Sequence, residues 1–410
     1  MQFRFAHPDE IPSLTRLVSH SFIGRSSEFW AGELQNPAHG GGKMVLYAAY
    51  DKKTPIASLQ LFPLRQWVAQ KPLPMAGVGT VAVSPAHRQQ GVAGKLMQQA
   101  LRAAVERGDV ASALYPFRTS FYQKLGYGLA GVALQYLVSP DSLPPSDEAA
   151  RIELMHGDAS HEELRKLYNT WIQTQTGQLE RDVAMWKKHF DMPDSVVAAY
   201  RNAKGELEGY AFALYRAELQ RTDRYLDVTE MVWTSNEARA GLFGWLATLS
   251  DQWQQIMLRA LPSHHLDEMI RDPKRPYHAV SGWGLWWPVG TQLYGPMFRL
   301  LDLEKTWNGR TAVTEQGISV ALNVTDMQFE ENCGDWRLEI SPDGCEISRS
   351  TRKADVALRM NISLLSRLYC SATTPSVAFQ SSIMECDRPE RLAALDAALR
   401  LPEPWTFDRF

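Results

Sequence analysis

Residues 78 to 93 read Val78-Gly79-Thr80-Val81-Ala82-Val83-Ser84-Pro85-Ala86-His87-Arg88-Gln89-Gln90-Gly91-Val92-Ala93. The valines at the start favour a β-strand, because β-branched side chains fit a pleated sheet. Ser84-Pro85 then ends the strand and turns the chain. After the turn, apolar residues recur at helical spacing, as at Val92, Leu96 and Ala100. The stretch therefore predicts a strand, a turn and a helix in direct succession.

The first turn of this helix is a predicted anion site. Its backbone N–H groups have no intrahelical partners, and the positive end of the helix dipole lies there. Gly91 lets a phosphate approach the backbone closely, and Arg88 adds a cation at the rim. The alternative is an ordinary strand–turn–helix with an exposed arginine, because a short glycine motif is a weak signal by itself.

The segment from Arg88 to Ala93 resembles the signature (Arg/Gln)-x-x-Gly-x-(Gly/Ala), with which GNAT acyltransferases hold the pyrophosphate of coenzyme A. Close relatives often carry more arginine in this loop, whereas here Gln89 and Gln90 follow Arg88, so we expect the backbone to hold the phosphates. The resemblance implies acetyl-CoA as the cosubstrate, contacted mostly through backbone N–H groups by Val81, Val83, Arg88, Gln89, Gly91, Val92 and Ala93.

Composition narrows the class of protein. The 410 residues suffice for two to four domains, and 45% hydrophobic and 22% charged residues are ordinary for a globular protein. A net charge of −3 gives no indication of a nucleic-acid or membrane-surface partner. The four cysteines match no zinc spacing, and the first residues lack a secretory signal. We therefore expect a cytoplasmic protein with reduced thiols, no metal, and no nucleic-acid or membrane partner.

Residues 1–145 alternate strands and helices in the order helix, hairpin, strand, helix, strand, which is the GNAT order. The expected product is a mixed α/β sheet with helices on both faces, and this is the predicted catalytic domain. Its predicted strands are 3–5, 44–50, 55–64, 78–83, 111–115 and 127–137, and its predicted helices are 8–22, 90–107 and 120–125.

A linker is predicted at residues 143–148, which are rich in proline and polar residues. Beyond it the pattern repeats, with predicted strands at 195–201, 208–215, 224–232 and 256–259 and a helix at 236–253. Gly91 aligns with Gly241 at an offset of 150, but Arg88 falls on Ala238, with Glu237 beside it. An acidic residue there satisfies the helix dipole in place of phosphate. Residues 146–298 are therefore predicted to be a degenerate GNAT-like domain.

The sequence pattern of residues 299–410 differs from that of the preceding parts and predicts a compact α+β domain. Strands are predicted at 317–324, 335–340, 344–348 and 355–359, and helices at 361–368 and 389–400.

With these three blocks, the chain resembles the Eis (enhanced intracellular survival) family. The match rests on the motif of residues 81–91, on Phe121-Tyr122-Gln123-Lys124-Leu125-Gly126-Tyr127-Gly128, and on a terminus at Phe410. The resemblance implies two tandem GNAT-like domains, the second degenerate, followed by a domain like sterol carrier protein. It also implies acetylation of aminoglycoside amines and a homo-hexamer.

Amide formation from a thioester needs a neutral amine, so a base must take a proton from the ammonium that prevails at pH 7. The resemblance implies that the terminal carboxylate of Phe410 is this base; a tail packed only for stability is the alternative. It also makes Tyr122 the acid near the sulfur, in preference to core packing, and leaves Tyr127 a structural role. A backbone N–H of the motif strand can stabilise the developing carbonyl charge.

A pocket for a polycationic acceptor should be aromatic and acidic. Candidates by position are Phe22, Glu28, Trp30, Trp67, Thr80 and Asp408. The alternative for each of them is an ordinary core or surface position. Arg409 is a cation beside the expected base, and it would repel a polycationic acceptor if it pointed inward.

The leading hypothesis is an acetyl-CoA-dependent N-acetyltransferase that acts on aminoglycoside-like polyamines by direct attack on the thioester. The alternatives are a protein lysine or N-terminal acetyltransferase and a non-catalytic scaffold that binds coenzyme A or lipid. The presence of Arg88, Gly91 and Tyr122 argues against the scaffold.

Overall fold

The computed structural model of the protein describes residues 1–22, 24–35, 43–155, 159–192, 194–216, 225–271 and 289–410. Residues 1–131, 175–189 and 295–410 form one compact unit, and residues 132–174 and 190–294 form a second. The chain thus leaves the first unit at Gly131 and returns to it twice. This division differs from the predicted consecutive ranges 1–145, 146–298 and 299–410.

The N-terminal part follows the predicted order of elements except for one additional helix at Ser27–Gln35, which the sequence analysis did not predict. The predicted N-terminal helix is shorter than expected, because Pro8–Glu10 is a separate 3-10 turn. The strand that carries the motif begins earlier than predicted, since Pro72 and Pro74 hide its first half from a sequence pattern. The strands are β1 (Gln2–Phe5), β2 (Val45–Asp51), β3 (Thr54–Val68), β4 (Lys71–Val83), β5 (Ala111–Leu114) and β6 (Gly128–Leu129), and the helices are α1 (Ile11–Ser19), α2 (Ser27–Gln35), α3 (Val92–Arg107) and α4 (Thr119–Gln123).

The middle of the chain forms a second seven-stranded sheet. Its strands are β7 (Val132–Val138), β8 (Ile152–Leu154), β9 (Ser195–Arg201), β10 (Leu207–Arg216), β11 (Tyr225–Trp233), β12 (Gln255–Ala260) and β13 (Gly290–Tyr294), in the order β13-β7-β12-β11-β10-β9-β8. Its helices are α5 (Ala159–Trp171), α7 (Asn236–Ala247) and α8 (Leu266–Met269). Helix α6 (Val183–Phe190) lies between α5 and β9 in sequence, and its residues up to His189 belong to the first unit.

Two predictions for this part of the chain were wrong. The single strand expected at 127–137 is two strands, because β6 pairs in the first sheet and β7 in the second. The expected linker at 143–148 is packed, with Leu143 buried and the Ser146 hydroxyl accepting a hydrogen bond from the backbone N–H of Glu148. The start of predicted strand 224–232 falls on Arg224, which lies outside the described residues.

The last part of the chain completes the first sheet before it forms its own. Strand β14 (Met297–Leu300) inserts antiparallel between β5 and β6, which gives the order β1-β2-β3-β4-β5-β14-β6. A five-stranded sheet follows, in the order β17-β16-β15-β18-β19, from β15 (Ile318–Thr325), β16 (Gly334–Ser341), β17 (Gly344–Arg349), β18 (Val356–Asn361) and β19 (Glu385–Cys386). The helices are α9 (Leu303–Trp307), α10 (Ile362–Tyr369), α11 (Pro375–Gln380) and α12 (Leu392–Ala398).

The two sheets of the first unit share one hydrophobic core. It includes Met75 of β4, Phe298 of β14, Leu322 of β15 and Leu365 of α10, all at most 3% exposed. On the opposite face of the first sheet, α3 packs against β3 and β4 through residues such as Leu96. The last domain is therefore built onto the first sheet.

Candidate active site

The first sheet opens between β4 and β5. These parallel strands pair from Met75–Ala111 to Val78–Leu114, and β5 then ends while β4 continues to Val83. The far half of β4 therefore lacks a neighbour on that side, and its backbone groups there have no ladder partner from β5. An opening between parallel strands, next to the carboxyl end of β5, is a typical place for a ligand.

A β-bulge shapes the far half of β4. Gln60 of β3 pairs with Gly79, and Ser58 pairs with Ala82, so two residues of β4 stand opposite one residue of β3. Thr80 in this bulge has a left-handed φ of 50°, and its hydroxyl hydrogen-bonds to Gln60. The Gln60 amide in turn lies 3.5 Å from the backbone oxygen of Glu33 on α2. The bulge thus connects Thr80 to α2 and turns the backbone of Val81 out of the regular ladder.

The phosphate cradle predicted from the sequence has the expected backbone. Gly91 precedes α3 with φ of 74°, a conformation that costs glycine little. An added Cβ at Gly91 would meet no atom within 4 Å, so the space before the helix is open. The N–H groups of Val92 and Ala93 are in the first turn and have no intrahelical acceptor. Arg88 and Gln89 are exposed beside them, so the loop offers a pyrophosphate both N–H groups and a cation.

Tyr122 lies close to this opening on the α3 side of the sheet. Its side chain is 2% exposed and packs in the cluster that includes Val78 and Leu96. Burial raises the pKa of Tyr122 to about 12, which keeps the phenol protonated and able to donate. Its ring lies 5.5 Å from that of Phe117, which is 75% exposed.

Tyr127 has a different environment. Its hydroxyl lies 2.7 Å from the Ser112 hydroxyl, which donates to the backbone oxygen of Ala76. Burial raises its pKa even further. Next to it, Gly126 has φ of 85°, and an added Cβ would overlap the guanidinium of Arg299. The motif around Tyr127 therefore packs closely against Ser112 of β5 and Arg299 of β14 within the first sheet.

The chain terminus lies on the other face of β4. A Cβ added to Gly77 would lie 2.8 Å from the Phe410 ring, and one added to Gly79 would lie 3.5 Å from the carboxyl carbon of Phe410. Residues 77 and 79 share a face, opposite to that of Val78. Phe410 and Tyr122 therefore flank β4 from opposite faces, and the carboxyl group lies just past the last β4–β5 pair.

Residues that the sequence analysis did not find hold the terminus in place. The chain from Thr176 to Glu180 runs along the end of β3, with hydrogen bonds between the backbones of Trp67 and residues 177 and 178. The backbone N–H of Trp405 donates to the Thr176 oxygen at 2.9 Å. Tyr115, directly after β5, donates its hydroxyl to the Asp408 backbone oxygen at 2.6 Å, and its ring lies 5.6 Å from that of Phe410. Glycines at 77 and 79 were the available signal, because glycine inside a strand often marks a close approach.

Asp408 differs from its predicted place in the acceptor pocket. Its carboxylate is buried and lies 3.0 Å from Nε of Arg181 and 3.3 Å from Nε2 of His189. Burial alone would raise its pKa, but Arg181 and His189 outweigh burial and lower the pKa of Asp408 to about 2. A carboxylate committed in this way is unavailable to an acceptor amine, so Asp408 holds the chain instead.

Among the other acceptor candidates, Phe22, Glu28 and Trp30 lie on or near α2. The rings of Phe22 and Trp30 are 5.2 Å apart and half-buried against the core of α1 and α2. Glu28 is exposed on α2, and Trp67 lies against the segment at 177–178. Arg409 is exposed, which agrees with an outward orientation of this cation.

In the second sheet, the helix that corresponds to α3 is α7, and its N-terminus is already capped. The Ser235 hydroxyl caps α7 by accepting from the N–H of Ala238, with Glu237 in the first turn. The predicted equivalence of Gly91 and Gly241 was wrong, because Gly241 lies inside α7, where an added Cβ would lie 2.5 Å from the Tyr200 ring. The N-terminus of α7 already has a cap and an acidic residue, so it is a poor binding site for a phosphate.

Among the described residues, no three His, Cys, Asp or Glu side chains come together as metal ligands would. The four cysteines are free thiols. No helix within the described ranges is long and apolar enough to cross a membrane.

Family models match all three parts of the chain. Residues 2–130 and 177–286 each match an acetyltransferase (GNAT) domain, and residues 304–407 match a sterol carrier protein domain. The predicted order of two GNAT domains and a sterol carrier protein domain is confirmed. The second match overlaps the 175–189 segment, which packs with the first unit.

Relatives that match most of the chain are named N-acetyltransferases. An uncharacterized N-acetyltransferase of Streptomyces avermitilis is 24% identical over 389 residues, which are 88% of this chain and 87% of the relative. N-acetyltransferase Eis of Mycobacterium tuberculosis is 24% identical over 342 residues, 81% of this chain and 79% of the relative. The chain thus contains two GNAT acetyltransferase domains and is similar over most of its length to N-acetyltransferases named Eis. These matches show a GNAT-type acyltransferase, and GNAT acetyltransferases use acetyl-CoA as the cosubstrate.

Solved structures share the whole fold. A GCN5-related N-acetyltransferase from Anabaena variabilis superposes with a TM-score of 0.83 at 20% identity, and Eis1 from Mycobacterium abscessus with 0.79 at 21%. Both alignments cover all of this chain and all of the other.

Proposed function

We propose that this Eis-like acyltransferase moves the acetyl group of acetyl-CoA to an amine of an aminoglycoside-like polyamine, by direct attack of the amine on the thioester. The observation that carries the proposal is the position of Phe410. Its carboxyl carbon is near Gly79, where β4 and β5 separate, and Tyr122 packs behind the same strand. A terminal carboxylate and a protonated phenol are thus available on two sides of one strand.

In the proposed reaction the Phe410 carboxylate holds the acceptor ammonium and accepts the proton that the amine must lose. The amine nitrogen then forms a bond to the carbonyl carbon as the carbon–sulfur bond breaks. Tyr122 donates its proton to the leaving sulfur, and its raised pKa keeps that proton available. The bulge at Thr80 and Val81 provides a backbone N–H to stabilise the negative charge on the carbonyl oxygen. The nitrogen releases its second proton to water as the amide forms. Exchange with water then removes the proton from Phe410 and restores the one on Tyr122, so one proton is released overall.

Donor binding is assigned to the loop before α3. In the proposal, the N–H groups of Gly91, Val92 and Ala93 and the side chain of Arg88 hold the pyrophosphate, while Gln89 borders it and Val81 and Val83 line the path to the thioester. The open space before Gly91 supports this assignment. The second GNAT domain is proposed to be degenerate, because Ser235 and Glu237 already satisfy its helix start.

The acceptor is assigned to the side of β4 that meets α2. Phe22, Trp30 and Thr80 would line it, and the exposed Glu28 would contribute negative charge. A polyamine is favoured because the terminal carboxylate attracts an ammonium group at the reacting position. In the same proposal the protein is a cytoplasmic homo-hexamer, as the Eis resemblance implies, and the mass of the assembly from light scattering tests this.

A thiol-release assay with acetyl-CoA tests the function. The acceptors are an aminoglycoside panel, linear polyamines and lysine peptides, and Tyr122→Phe is the matched control variant. Release with aminoglycosides that falls in the control supports the proposal. Release with lysine peptides alone would shift the assignment to protein acetylation, and no release with any acceptor would favour a scaffold.

A further inference from the structure

A cluster of buried charge holds the chain two residues before its end. Asp408 is 4% exposed, and its two carboxylate oxygens lie 3.0 and 3.1 Å from Nε of Arg181. The Arg181 side chain is fully buried, and its guanidinium lies 4.8 Å from the centre of the Trp186 ring. Nε2 of His189 lies 3.3 Å from the same carboxylate. Arg181 and His189 come from the 175–189 segment, and neither contributes to the proposed proton transfers.

Neighbouring contacts fix the backbone on both sides of Asp408. The N–H of Trp405 donates to Thr176, the N–H of Phe407 lies 3.4 Å from the side-chain oxygen of Gln178, and Tyr115 donates to the backbone oxygen of Asp408. A Cβ added at Gly177 would lie 2.7 Å from the Trp405 oxygen. The last residues therefore lie tightly against this segment, and after the exposed Arg409 the Phe410 side chain is partly buried.

The ion pair selects one register of the chain end. A buried carboxylate is tolerated only when it is paired, and a buried guanidinium likewise needs its partner. A slip of one residue in either direction would bring Phe407 or Arg409 to Arg181, which would then face an aromatic ring or a second cation in place of the Asp408 carboxylate. With Asp408 against Arg181, the chain end falls at Gly79, where β4 and β5 separate.

We propose that Arg181 is a positioning residue which, through Asp408 and with His189, sets the register of the terminus and so places the Phe410 carboxylate for proton transfer. The inference rests on the proposed function for the role of that carboxylate. It rests on the observed contacts for the docking itself, so the two parts can be tested separately.

Carboxypeptidase A reports docking without any acetyl transfer. This protease removes a free C-terminal phenylalanine and stops before arginine, so digestion of this chain ends after Phe410. In the full-length protein we expect slow removal, because the docked end is inaccessible. In Arg181→Met and Asp408→Asn we expect removal at least about tenfold faster, since cleavage follows the population of the undocked end. Intact-mass spectrometry measures the loss of one phenylalanine.

The kinetics of acetyl transfer then test whether the docked end positions the Phe410 carboxylate. We expect the kcat of acetyl transfer to fall at least about tenfold in both variants, while the Kd of acetyl-CoA stays unchanged, because only the base is misplaced. Arg181→Lys keeps the charge and should restore part of kcat. Glu180→Gln is the matched control, because it breaks the exposed 3.0 Å ion pair with Arg65 in the same segment; both its cleavage rate and its kcat should equal those of the unmodified protein.

Each single variant removes one of the two facing charges, so a double variant, Arg181→Met with Asp408→Asn, removes both and guards against simple unfolding. Thermal melting is followed for all variants.

If the folded single and double variants protect Phe410 as well as the unmodified protein does, the inference is wrong. If the end is released but kcat is unchanged, the terminal carboxylate is not the base, and the positioning role fails with it. An unmodified protein that transfers acetyl to no amine overturns the proposed function, while the protease assay still tests docking.

Discussion

At the scale of single residues, two tyrosines five positions apart have different roles because their hydroxyls have different surroundings. The Tyr127 hydroxyl is committed to Ser112 inside the core. The described protein residues provide no hydrogen bond to the hydroxyl of Tyr122, whose pKa burial raises to about 12. A phenol with that pKa remains protonated at neutral pH, so it can act as an acid and not as a base.

Tyr122→Phe should lower turnover by about 10²-fold or more, the usual scale of general acid catalysis, and should leave acetyl-CoA affinity nearly unchanged. Thiol-release assays measure the turnover, and calorimetry measures the affinity for acetyl-CoA. Tyr127→Phe is the comparison, and it should reduce the melting temperature more than the turnover. Equal turnover in Tyr122→Phe and the unmodified protein would move the role of the acid to Tyr127 or to water.

Asp408 should make the free energy of unfolding depend on pH in the acid range. Arg181 and His189 hold its pKa at about 2, below the value of about 3.9 for an unfolded aspartate. A carboxyl group whose pKa is lowered by folding stabilises the protein above the unfolded pKa and loses this contribution as pH falls through the folded pKa. The difference in unfolding free energy between the unmodified protein and Asp408→Asn should thus shrink by about 1 to 2 kcal/mol from pH 6 to pH 3. Urea titrations at both pH values measure it, and a constant difference would contradict the ion pair.

At the scale of secondary structure, the two GNAT domains show how the start of a helix determines whether it can bind an anion. Helix α3 begins after an uncapped glycine with open space in front of it, whereas α7 begins at a serine cap. The first-turn N–H groups of α3 remain available to phosphate, and one of those of α7 is already satisfied. A gapless sequence alignment cannot show this, because the two helices start at different positions along it.

Gly91→Glu should abolish binding of acetyl-CoA, because it places a side chain and a negative charge at the phosphate cradle. Part of the effect could come from a left-handed φ of 74° at this position. Gly91→Asn is therefore the matched control, since asparagine tolerates this conformation and adds no charge, and it should retain most of the affinity. Isothermal calorimetry compares the three proteins. A Gly91→Glu protein with unchanged affinity would exclude the loop as the phosphate site.

At the scale of the whole molecule, the last residue of the chain reaches the first sheet. The last domain contributes β14 to that sheet, shares its core and ends with Phe410 against Gly77 and Gly79. Catalysis in the first domain would therefore depend on the folding of the last one. In the proposed mechanism, this arrangement makes an intact C-terminus a requirement for activity.

A short C-terminal tag should severely reduce acetyl transfer, while the melting temperature and the assembly state remain unchanged. The tag converts the terminal carboxylate to an amide and forces new residues into the space beside Gly79. An N-terminal tag is the matched control and should be harmless, because β1 lies at the edge of the sheet, six strands away from β6. Full activity of the C-terminally tagged protein would show that another group, such as Glu28, is the base.

The sequence by itself determined the local elements, the order of the three domains and the backbone of the loop that we propose binds phosphate. Strand and helix periods, turn residues and a glycine before a helix are local signals, and they act within a few residues of one another. The strand, turn and helix of residues 78–93 needed no distant contact to be recognised. The catalytic roles of Tyr122 and of the terminus at Phe410 were predicted only from the resemblance to a known family, and they stay predictions.

Only the tertiary structure decided which distant segments pair. A strand pattern states which face of a strand is buried but not which strand lies beside it, so the insertion of β14 and the transfer of β7 to the second sheet were not predictable. Arg181 and Asp408 are 227 residues apart, and each alone reads as an ordinary surface charge. Their pairing exists because folding buries both, and a buried charge is stable only beside an opposite one.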